Sequence, residues 1–307
     1  MSVQPYPDDQ IKRFGEFAEL FLRCRAAWRE VTIETEGYPG PGSLAARDRQ
    51  EVAEHLAPGR PRAALVIPSA VQRYMLAASE QFGGLAALYQ AEEVLYSPAN
   101  LARSLIEHCA SAAWVLGTDG EPVANRLARA YREELKSAEE AKKNAGRLLG
   151  KSHPEYLRMA EGFKRCSEEI EEVFPGGWSM DENGHRLLYE QRLPGLEESV
   201  TWLLSEFLSR PQSPDVGRGT YGYISNMAHP TLYRISGLWA VEERDGKRVP
   251  VLDVGIEDHE KQAQLIVSPY YELLACVMTY HGWPRVRYRE LTHAIDRLLP
   301  DLLPAEQ

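Results

Sequence analysis

The chain has 307 residues, 35 of them basic and 45 acidic, and a formal net charge of −10. This length is sufficient for one large domain or two modest ones with a substantial core, so folding requires neither a metal nor a disulfide. The acidic balance repels polyanions on average, and binding of a nucleic acid would therefore require a local basic patch.

The chain has four widely separated cysteines that form no CxxC or CxH cluster: Cys24, Cys109, Cys166 and Cys276. Scattered cysteines among helix-forming residues indicate reduced, mostly buried thiols and a reducing compartment. The first residues, MSVQPYPDDQIKRF, lack the apolar segment of a secretory signal, and no stretch reaches the roughly 20 apolar residues of a membrane span. These features predict a cytoplasmic protein with no membrane partner.

The first predicted element is an amphipathic helix over residues 9–34, whose aromatic and apolar side chains recur at helical spacing. The segment EGYPGPGS, residues 36–43, holds three glycines and two prolines and is predicted to be a loop. We therefore divide the chain into an N-terminal helix and loop over residues 1–43 and a single helical-bundle domain over residues 44–307.

The remaining chain is also mainly helical in pattern, and the predicted fold class is a mainly α, multi-helix bundle. Residues 174–186 and the turn-forming tract 210–219 are predicted to be loops, and EERDGKRVPVLDVGI predicts one small β-hairpin near residues 242–256, with its turn at Asp245 and Gly246. Helices are predicted over about residues 45–55, 63–95, 97–116, 122–149, 154–173, 197–210, 220–241, 259–281 and 288–299. Pro68 and Ser69 are expected to open the helix in the second of these ranges, and Pro269 is expected to break the helix over residues 259–281.

The helix over residues 97–116, with Ser97 as its expected N-cap and Pro98 in its first turn, is the most informative element. At about 100° per residue, Glu107 lies about 40° from Arg103 and His108 about 140° from it. Asn100 and Ser111 lie on the same polar face, which contains no lysine and ends beside Trp114. Such a face is typical either of a solvated surface or of the wall of a cleft.

The residues from Arg103 to His108 place a histidine after an arginine and four intervening residues. This string resembles the Arg-x4-6-His motif of the HEPN superfamily, helical-bundle proteins that include RNA-cleaving toxins and phage-defence factors. The resemblance implies a homodimer whose composite site joins the arginine and the histidine of paired subunits. In that site His108 would handle the proton of the ribose 2′-hydroxyl and Arg103 would stabilise the phosphorane.

Binding of RNA to such an acidic chain would have to use local cations. Arg126, Arg129 and Arg132 follow one another at three-residue spacing at the start of the helix over residues 122–149. They share one helix face and could line the same cleft as Arg103, although ion-paired surface arginines show the same pattern.

A second group of polar residues lies in the helix predicted over residues 220–241, and Tyr221, Ser225, Asn226 and His229 are its candidate binding or catalytic side chains. Ser225 and His229 are four residues apart and so share a face of that helix, and Pro230 is expected to kink it. The pairing of an arginine-bearing helix with a later Ser-x-x-x-His-Pro helix resembles uncharacterised actinobacterial helical proteins.

Several kinds of site are not predicted. The bundle helices lack a Glu-x-x-His pair, and the chain lacks a zinc ligand set, a DDxxD signature, the phosphate-binding glycine loops and a GxSxG elbow. We therefore expect no metal and no cofactor.

Three functional classes stay open. A HEPN-like ribonuclease would place Arg103 and His108 in a cleft. A cofactor-independent small-molecule enzyme would enclose a pocket of aromatic side chains, formed by Trp114, Tyr221, Tyr223 and Trp239, toward which the side chains of Glu107, His108 and His229 converge. An interaction or regulatory protein would show no convergence of these groups. We lean to the first class, because its chemistry requires no ligand that the chain lacks.

Overall fold

A computed structural model describes residues 6–209, 211–229, 232, 236, 239–244, 246–252, 255–300 and 302–303. The described residues form ten long or medium helices, and π-helical segments, Val52–Leu56 and Leu203–Phe207, continue α2 and α7. The helices are α1 Asp8–Thr35, α2 Leu44–Glu51, α3 Ala63–Gln90, α4 Ser97–Leu116, α5 Val123–Leu149, α6 Pro154–Val173, α7 Leu196–Trp202, α8 Pro214–Ala228, α9 Ile256–His281 and α10 Val286–Leu298. The predicted mainly α fold is confirmed.

One hydrophobic core joins most of these helices. Helix α3 packs against α1 and α4, α1 packs against α10, and α4 packs against α8 and α9. The aromatic stripe predicted for α1 lies fully in this core, where Phe21 meets Phe82 and Tyr89 at ring-centroid distances of 5.7 and 5.4 Å. The predicted division of the chain after residue 43 stays a prediction, although α1 contributes to the same core as the later helices.

The predicted hairpin is present as two antiparallel strands, β4 Trp239–Arg244 and β5 Lys247–Leu252, which pair Arg244 with Lys247. Its turn residue Asp245 lies outside the described residues. The prediction of a loop over residues 174–186 is correct only in part, because the range includes β1 Trp178–Met180 and the first residue of β2 Arg186–Leu188. Together with β3 Gln191–Arg192 they form a small antiparallel sheet. Leu188 is completely buried beneath that sheet, which explains why this glycine-rich segment is ordered as strands.

The helix predicted over residues 220–241 differs from the structure at both ends: α8 begins earlier and ends at Ala228, although Leu232 and Ser236 are again helical. Helix α8 begins at Pro214, within the tract predicted as a turn, because the Ser213 hydroxyl caps it and proline suits the first helical turn. It ends at Ala228, and His229 is extended, with φ −98° and ψ 147°. A residue that precedes a proline is disfavoured in the helical region, so the helix stops before Pro230. The predicted kink at Pro230 itself lies outside the described residues.

Three smaller expectations at helix ends are also wrong. Ser97 is the first residue of α4 and not its N-cap, which is Tyr96. Helix α3 begins five residues before Pro68, and α9 continues through Pro269 without a break. Both halves of α9 bury apolar side chains in the same core, and this burial offsets the backbone hydrogen bond that a proline removes.

Three of the four cysteines, Cys24, Cys109 and Cys166, are buried, Cys276 is exposed, and all four are free thiols. Within the described ranges, no helix combines the length and the apolar character that crossing a membrane requires.

Candidate active site

Helix α4 fixes the position of the arginine and the glutamate of the candidate site. Its apolar arc, which includes Leu105, Ile106 and Cys109, is completely buried. Packing of that arc leaves Arg103 and Glu107 on the opposite side, one turn apart, where the Arg103 Nε donates to Glu107 Oε1 at 2.8 Å. The two side chains are 22% and 19% exposed, so this ion pair is largely shielded from bulk water.

Helix α8 and its C-terminal end complete a cluster around the Arg103 guanidinium. Arg103 Nη1 lies 2.7 Å from His229 Nε2, and Arg103 Nη2 donates to the Tyr221 hydroxyl at 3.2 Å. The Tyr221 hydroxyl donates in turn to Glu107 Oε1 at 3.0 Å. We call these four residues, Arg103, Glu107, Tyr221 and His229, the Arg103 cluster.

Hydrogen bonding within the Arg103 cluster defines the state of each group. A guanidinium has only donors, so His229 Nε2 accepts from Arg103, and the proton of the neutral imidazole lies on Nδ1. The hydrogen bond to Glu107 raises the pKa of Arg103 above its ordinary value. Burial, followed by the charge of Glu107, raises the pKa of Tyr221, which therefore stays protonated. The cluster opens to solvent through His229, which is exposed.

The Arg103 guanidinium keeps part of its binding capacity. Of its five N–H donors, one each is used by Glu107, His229 and Tyr221, and the other two have no partner among the described residues. An arginine that is held in place by a carboxylate and a phenol, and retains free donors, can bind an oxyanion with little loss of side-chain entropy.

His108 belongs to a different group of residues. Its Nδ1 lies 3.4 Å from the Ser104 hydroxyl, and its ring lies 6.2 Å from the ring of Tyr74. Burial lowers the pKa of His108, so the imidazole is neutral at pH 7. Because His108 and Arg103 are about 140° apart on α4, they contact different neighbours. Within the chain it is thus His229, and not His108, that contacts the predicted arginine.

Tyr74 and Glu133 are two residues of the His108 surroundings that the sequence did not indicate. The Tyr74 hydroxyl donates to Glu133 Oε2 at 2.8 Å, and Ser111 is a second hydrogen-bonding neighbour of Tyr74. Glu133 is 8% exposed, and burial raises its pKa. These contacts join three helices, and no local spacing in the sequence signals them.

The arginines predicted as local cations are engaged within the protein. Arg126 is buried and forms two hydrogen bonds with the Asp48 carboxylate, at 2.8 and 2.7 Å. Arg129 Nη2 lies 2.9 Å from Glu121, and its Nη1 donates to the Trp114 carbonyl at 3.2 Å. The guanidinium of Arg132 lies over the ring of Trp178, at 5.4 Å. None of the three contacts a member of the Arg103 cluster.

The aromatic residues of the predicted pocket also contact separate partners. The Trp114 ring faces Arg129, the Tyr223 ring faces Lys261 at 4.8 Å, and Trp239 lies at the start of β4. Of the predicted binding residues, Asn100 and Asn226 are exposed and Ser225 is half-buried. Tyr221 is the one that joins the cluster, on the same face of α8 as Ser225.

A large cleft lies elsewhere on the bundle. It encloses about 1980 Å³ between the end of α4, the end of α7 and the helices α9 and α10. Its walls include the stacked rings of Tyr271 and Tyr288, and Arg126 is the one predicted site residue that lines it.

Within the described part of the chain, no three His, Cys, Asp or Glu side chains are grouped in a way that could hold a metal ion. Comparison of the chain with protein-family models, with curated proteins and with solved structures finds no match in any of the three.

Proposed function

We propose that the Arg103 cluster cleaves RNA without a metal ion, with His229 as the base and Arg103 as the cation that stabilises the transition state. The observation that carries this proposal is the 2.7 Å contact between Arg103 Nη1 and His229 Nε2. It unites, at a solvent-accessible point, the two groups that metal-independent cleavage of a phosphodiester requires.

The chemistry follows from the states of these groups. When a phosphate binds, Arg103 Nη1 transfers its N–H from His229 Nε2 to a phosphate oxygen. The freed lone pair of Nε2 then accepts the proton of a ribose 2′-hydroxyl, whose oxygen forms a bond to phosphorus. The two free Arg103 N–H donors bind the non-bridging oxygens as negative charge develops on them. The bond from phosphorus to the 5′-oxygen breaks, and the leaving oxygen takes a proton from water. The products are a 2′,3′-cyclic phosphate and a 5′-hydroxyl end.

Glu107 and Tyr221 act in this scheme as positioning residues. The carboxylate fixes Nε of the guanidinium, and the phenol bridges the carboxylate to Nη2. Because Glu107 and Tyr221 hold the guanidinium, its remaining N–H groups keep a fixed position beside His229. This limits the reorganisation that binding of a phosphate requires.

The experiment compares cleavage of a labelled RNA mixture by the protein and by His229→Gln, in the presence of a chelator. We expect His229→Gln to reduce the rate by about 100-fold or more, because a base contributes at least that factor. Replacement of every 2′-hydroxyl by hydrogen in the substrate is expected to abolish cleavage, since the nucleophile is then missing. His293→Gln, at an exposed histidine elsewhere on the bundle, is the matched control and is expected to retain activity.

His108→Gln separates this proposal from the motif that first suggested it. We expect His108→Gln to retain most of the activity, because His108 does not contact Arg103. Loss of cleavage in His108→Gln with retention in His229→Gln would transfer the role to His108 and contradict our assignment. Absence of cleavage by the unaltered protein would remove the ribonuclease proposal and leave the small-molecule and non-catalytic alternatives.

A further inference from the structure

One segment of this acidic chain has a local excess of basic residues, and it is bordered by Glu139, Glu140, Glu168 and Glu169. Residues 142–165, which we call the hairpin tip, comprise the end of α5, the turn and the first half of α6. They contain seven basic and two acidic residues, a net charge of +5 in a chain whose total is −10. The rest of the chain therefore carries −15. A basic patch exists, and it is not the one that the spacing of Arg126, Arg129 and Arg132 suggested.

The hairpin tip projects from the bundle. Leu135 is the last residue of α5 that is buried before the hairpin begins, and beyond it Ala145 alone is buried. From Leu135 to Leu149 the helix rises by about 21 Å, or about 1.5 Å for each residue. This is roughly twice the Debye length of about 8 to 10 Å at physiological ionic strength. A polyanion at the turn of the hairpin is consequently screened from the acidic body, although not from the glutamates that border the hairpin tip.

Part of the positive charge of the hairpin tip is free to bind a partner. Arg147, Lys151 and Arg165 are exposed and have no ion-pair partner among the described residues. The other four cations are engaged: Arg158 pairs with Glu155, and the Lys142 ammonium lies 3.6 Å from the centre of the Phe163 ring. Lys143 pairs with Glu139 and Glu140, and Lys164 pairs with Glu168.

We infer that the hairpin tip is the RNA-docking surface of this protein, an inference that rests on the proposed function. The partner is a single-stranded RNA whose phosphates lie along the side of the hairpin. Arg147 and Lys151 lie at the turn, whereas Arg165 is eleven residues beyond Pro154, about 17 Å back along α6. Cations spread over that length match a chain of phosphates better than a flat anionic lipid surface, which would meet the turn alone.

Exposed leucines at the turn supply a second kind of contact. Leu148 is 82% exposed and Leu157 is 56% exposed, so both side chains are accessible to a partner. Apolar side chains can insert between unstacked bases, so these leucines suit the bases of a strand whose phosphates are held by the neighbouring cations. Lipid insertion would use the same leucines, and the experiment must therefore separate the two partners.

The test measures binding of a fluorescein-labelled single-stranded RNA by anisotropy over a range of salt concentrations. It uses the His229→Gln background, so that the RNA stays intact. The hairpin variant is R147E/K151E/R165E. Its matched control, K12E/R47E/R289E, changes three exposed cations of the body that have no ion-pair partner in the part of the chain that the structure describes. The two variants have the same net charge, and melting curves of both establish that they fold.

We expect the hairpin variant to bind at least about tenfold more weakly, and its slope of log K against log salt to fall by about 2, because each phosphate contact to a single strand contributes about 0.7. The control is expected to bind within about threefold of the parent at the same salt. Equal weakening in both variants would show that net charge alone matters, and it would overturn the inference.

Vesicles with and without an anionic lipid form the second arm of the experiment. Binding to anionic vesicles but not to RNA would assign the hairpin tip to a membrane surface and also overturn the inference, provided that L148S/L157S abolishes the vesicle binding. The outcome for the proposed function is separate. If the unaltered protein binds RNA through the hairpin but does not cleave it, the proposed catalysis is refuted and the docking surface is not. If R147E/K151E/R165E in the otherwise unaltered protein cleaves RNA as fast as the parent, the docking surface is refuted and the catalysis is not.

Discussion

Replacement of Asp48 by alanine is expected to destabilise the protein strongly, because it would leave the Arg126 guanidinium buried without its counter-ion. Both side chains are nearly inaccessible, at 4% exposure for Asp48 and 5% for Arg126. The carboxylate accepts from Arg126 through both oxygens and also accepts from the Tyr280 hydroxyl at 3.1 Å. Alanine would remove all three hydrogen bonds.

The magnitude follows from this geometry. Breaking a buried ion pair by removal of one partner costs about 3 to 5 kcal/mol, because the remaining charge stays desolvated. That is a large part of the roughly 5 to 15 kcal/mol by which a folded domain is stable. If the unpaired charge is the cause, the double variant Asp48→Ala/Arg126→Met is expected to be more stable than Asp48→Ala alone by at least about 1 kcal/mol.

Urea unfolding followed by far-ultraviolet circular dichroism measures these differences in the free energy of unfolding. Asp215→Ala is the control, since Asp215 pairs with Arg218 on the surface, where the side chains are 88% and 57% exposed. We expect the control to change the free energy of unfolding by less than about 1 kcal/mol. A similarly small effect of Asp48→Ala, or a double variant no more stable than it, would refute the structural role assigned to Arg126 and reopen its prediction as a substrate-binding residue.

Three further predictions concern stability. Burial lowers the pKa of His281 to about 4, so between that value and the ordinary pKa of about 6.5 the unfolded chain binds more protons. The free energy of unfolding is therefore expected to fall as the pH drops through this window, and His281 contributes up to about 1.4 kcal/mol for each pH unit. His281→Phe is expected to reduce this pH dependence, which urea titrations at pH 7 and pH 5 measure. Gly40→Ala is expected to destabilise the protein by about 1 to 3 kcal/mol, because its Cβ would lie 2.8 Å from the Gly282 carbonyl oxygen. The control Gly15→Ala, at a position on α1 with no atom near its Cβ, is expected to stabilise the protein by about 0.5 to 1 kcal/mol. A melting temperature for Gly40→Ala equal to that of the parent would contradict the close approach of Gly40 to Gly282. Phe82→Ala is expected to cost about 3 to 5 kcal/mol in urea unfolding, because its ring is fully buried, and a loss below about 1 kcal/mol would contradict that burial.

Helical periodicity was sufficient to predict most of the architecture. Helix α6, Pro154–Val173, has the predicted bounds, because Pro154 suits a first turn and a glycine-rich loop follows. The sheet of β1 to β3 escaped prediction for a physical reason: strands of two or three residues are too short to show an alternating pattern. Their pairing depends on burial beneath the sheet, which a local pattern does not reveal.

The candidate site was predictable only in part for a similar reason. The spacing of Arg103 and Glu107 predicts their ion pair, since residues four apart on a helix are neighbours. The contact of Arg103 with His229 joins positions 126 residues apart, and no local rule of the sequence contains that information. The motif therefore joins the arginine of the Arg103 cluster to a histidine that, within one chain, lies on a different face of the helix.

The end of helix α8 shows how one local rule shapes the Arg103 cluster. If the helix continued through position 229, Tyr221 and His229 would be more than two turns, or about 12 Å, apart along its axis. A single guanidinium would then hardly reach both side chains. Because the residue before a proline avoids the helical region, the chain turns away at His229, and the guanidinium contacts both side chains. Whether Pro230 forms the predicted kink lies outside the described residues, but the extended conformation of His229 before it ends α8. The position of His229 beside Arg103 depends on this early ending, and so does the chemistry that we propose for the pair.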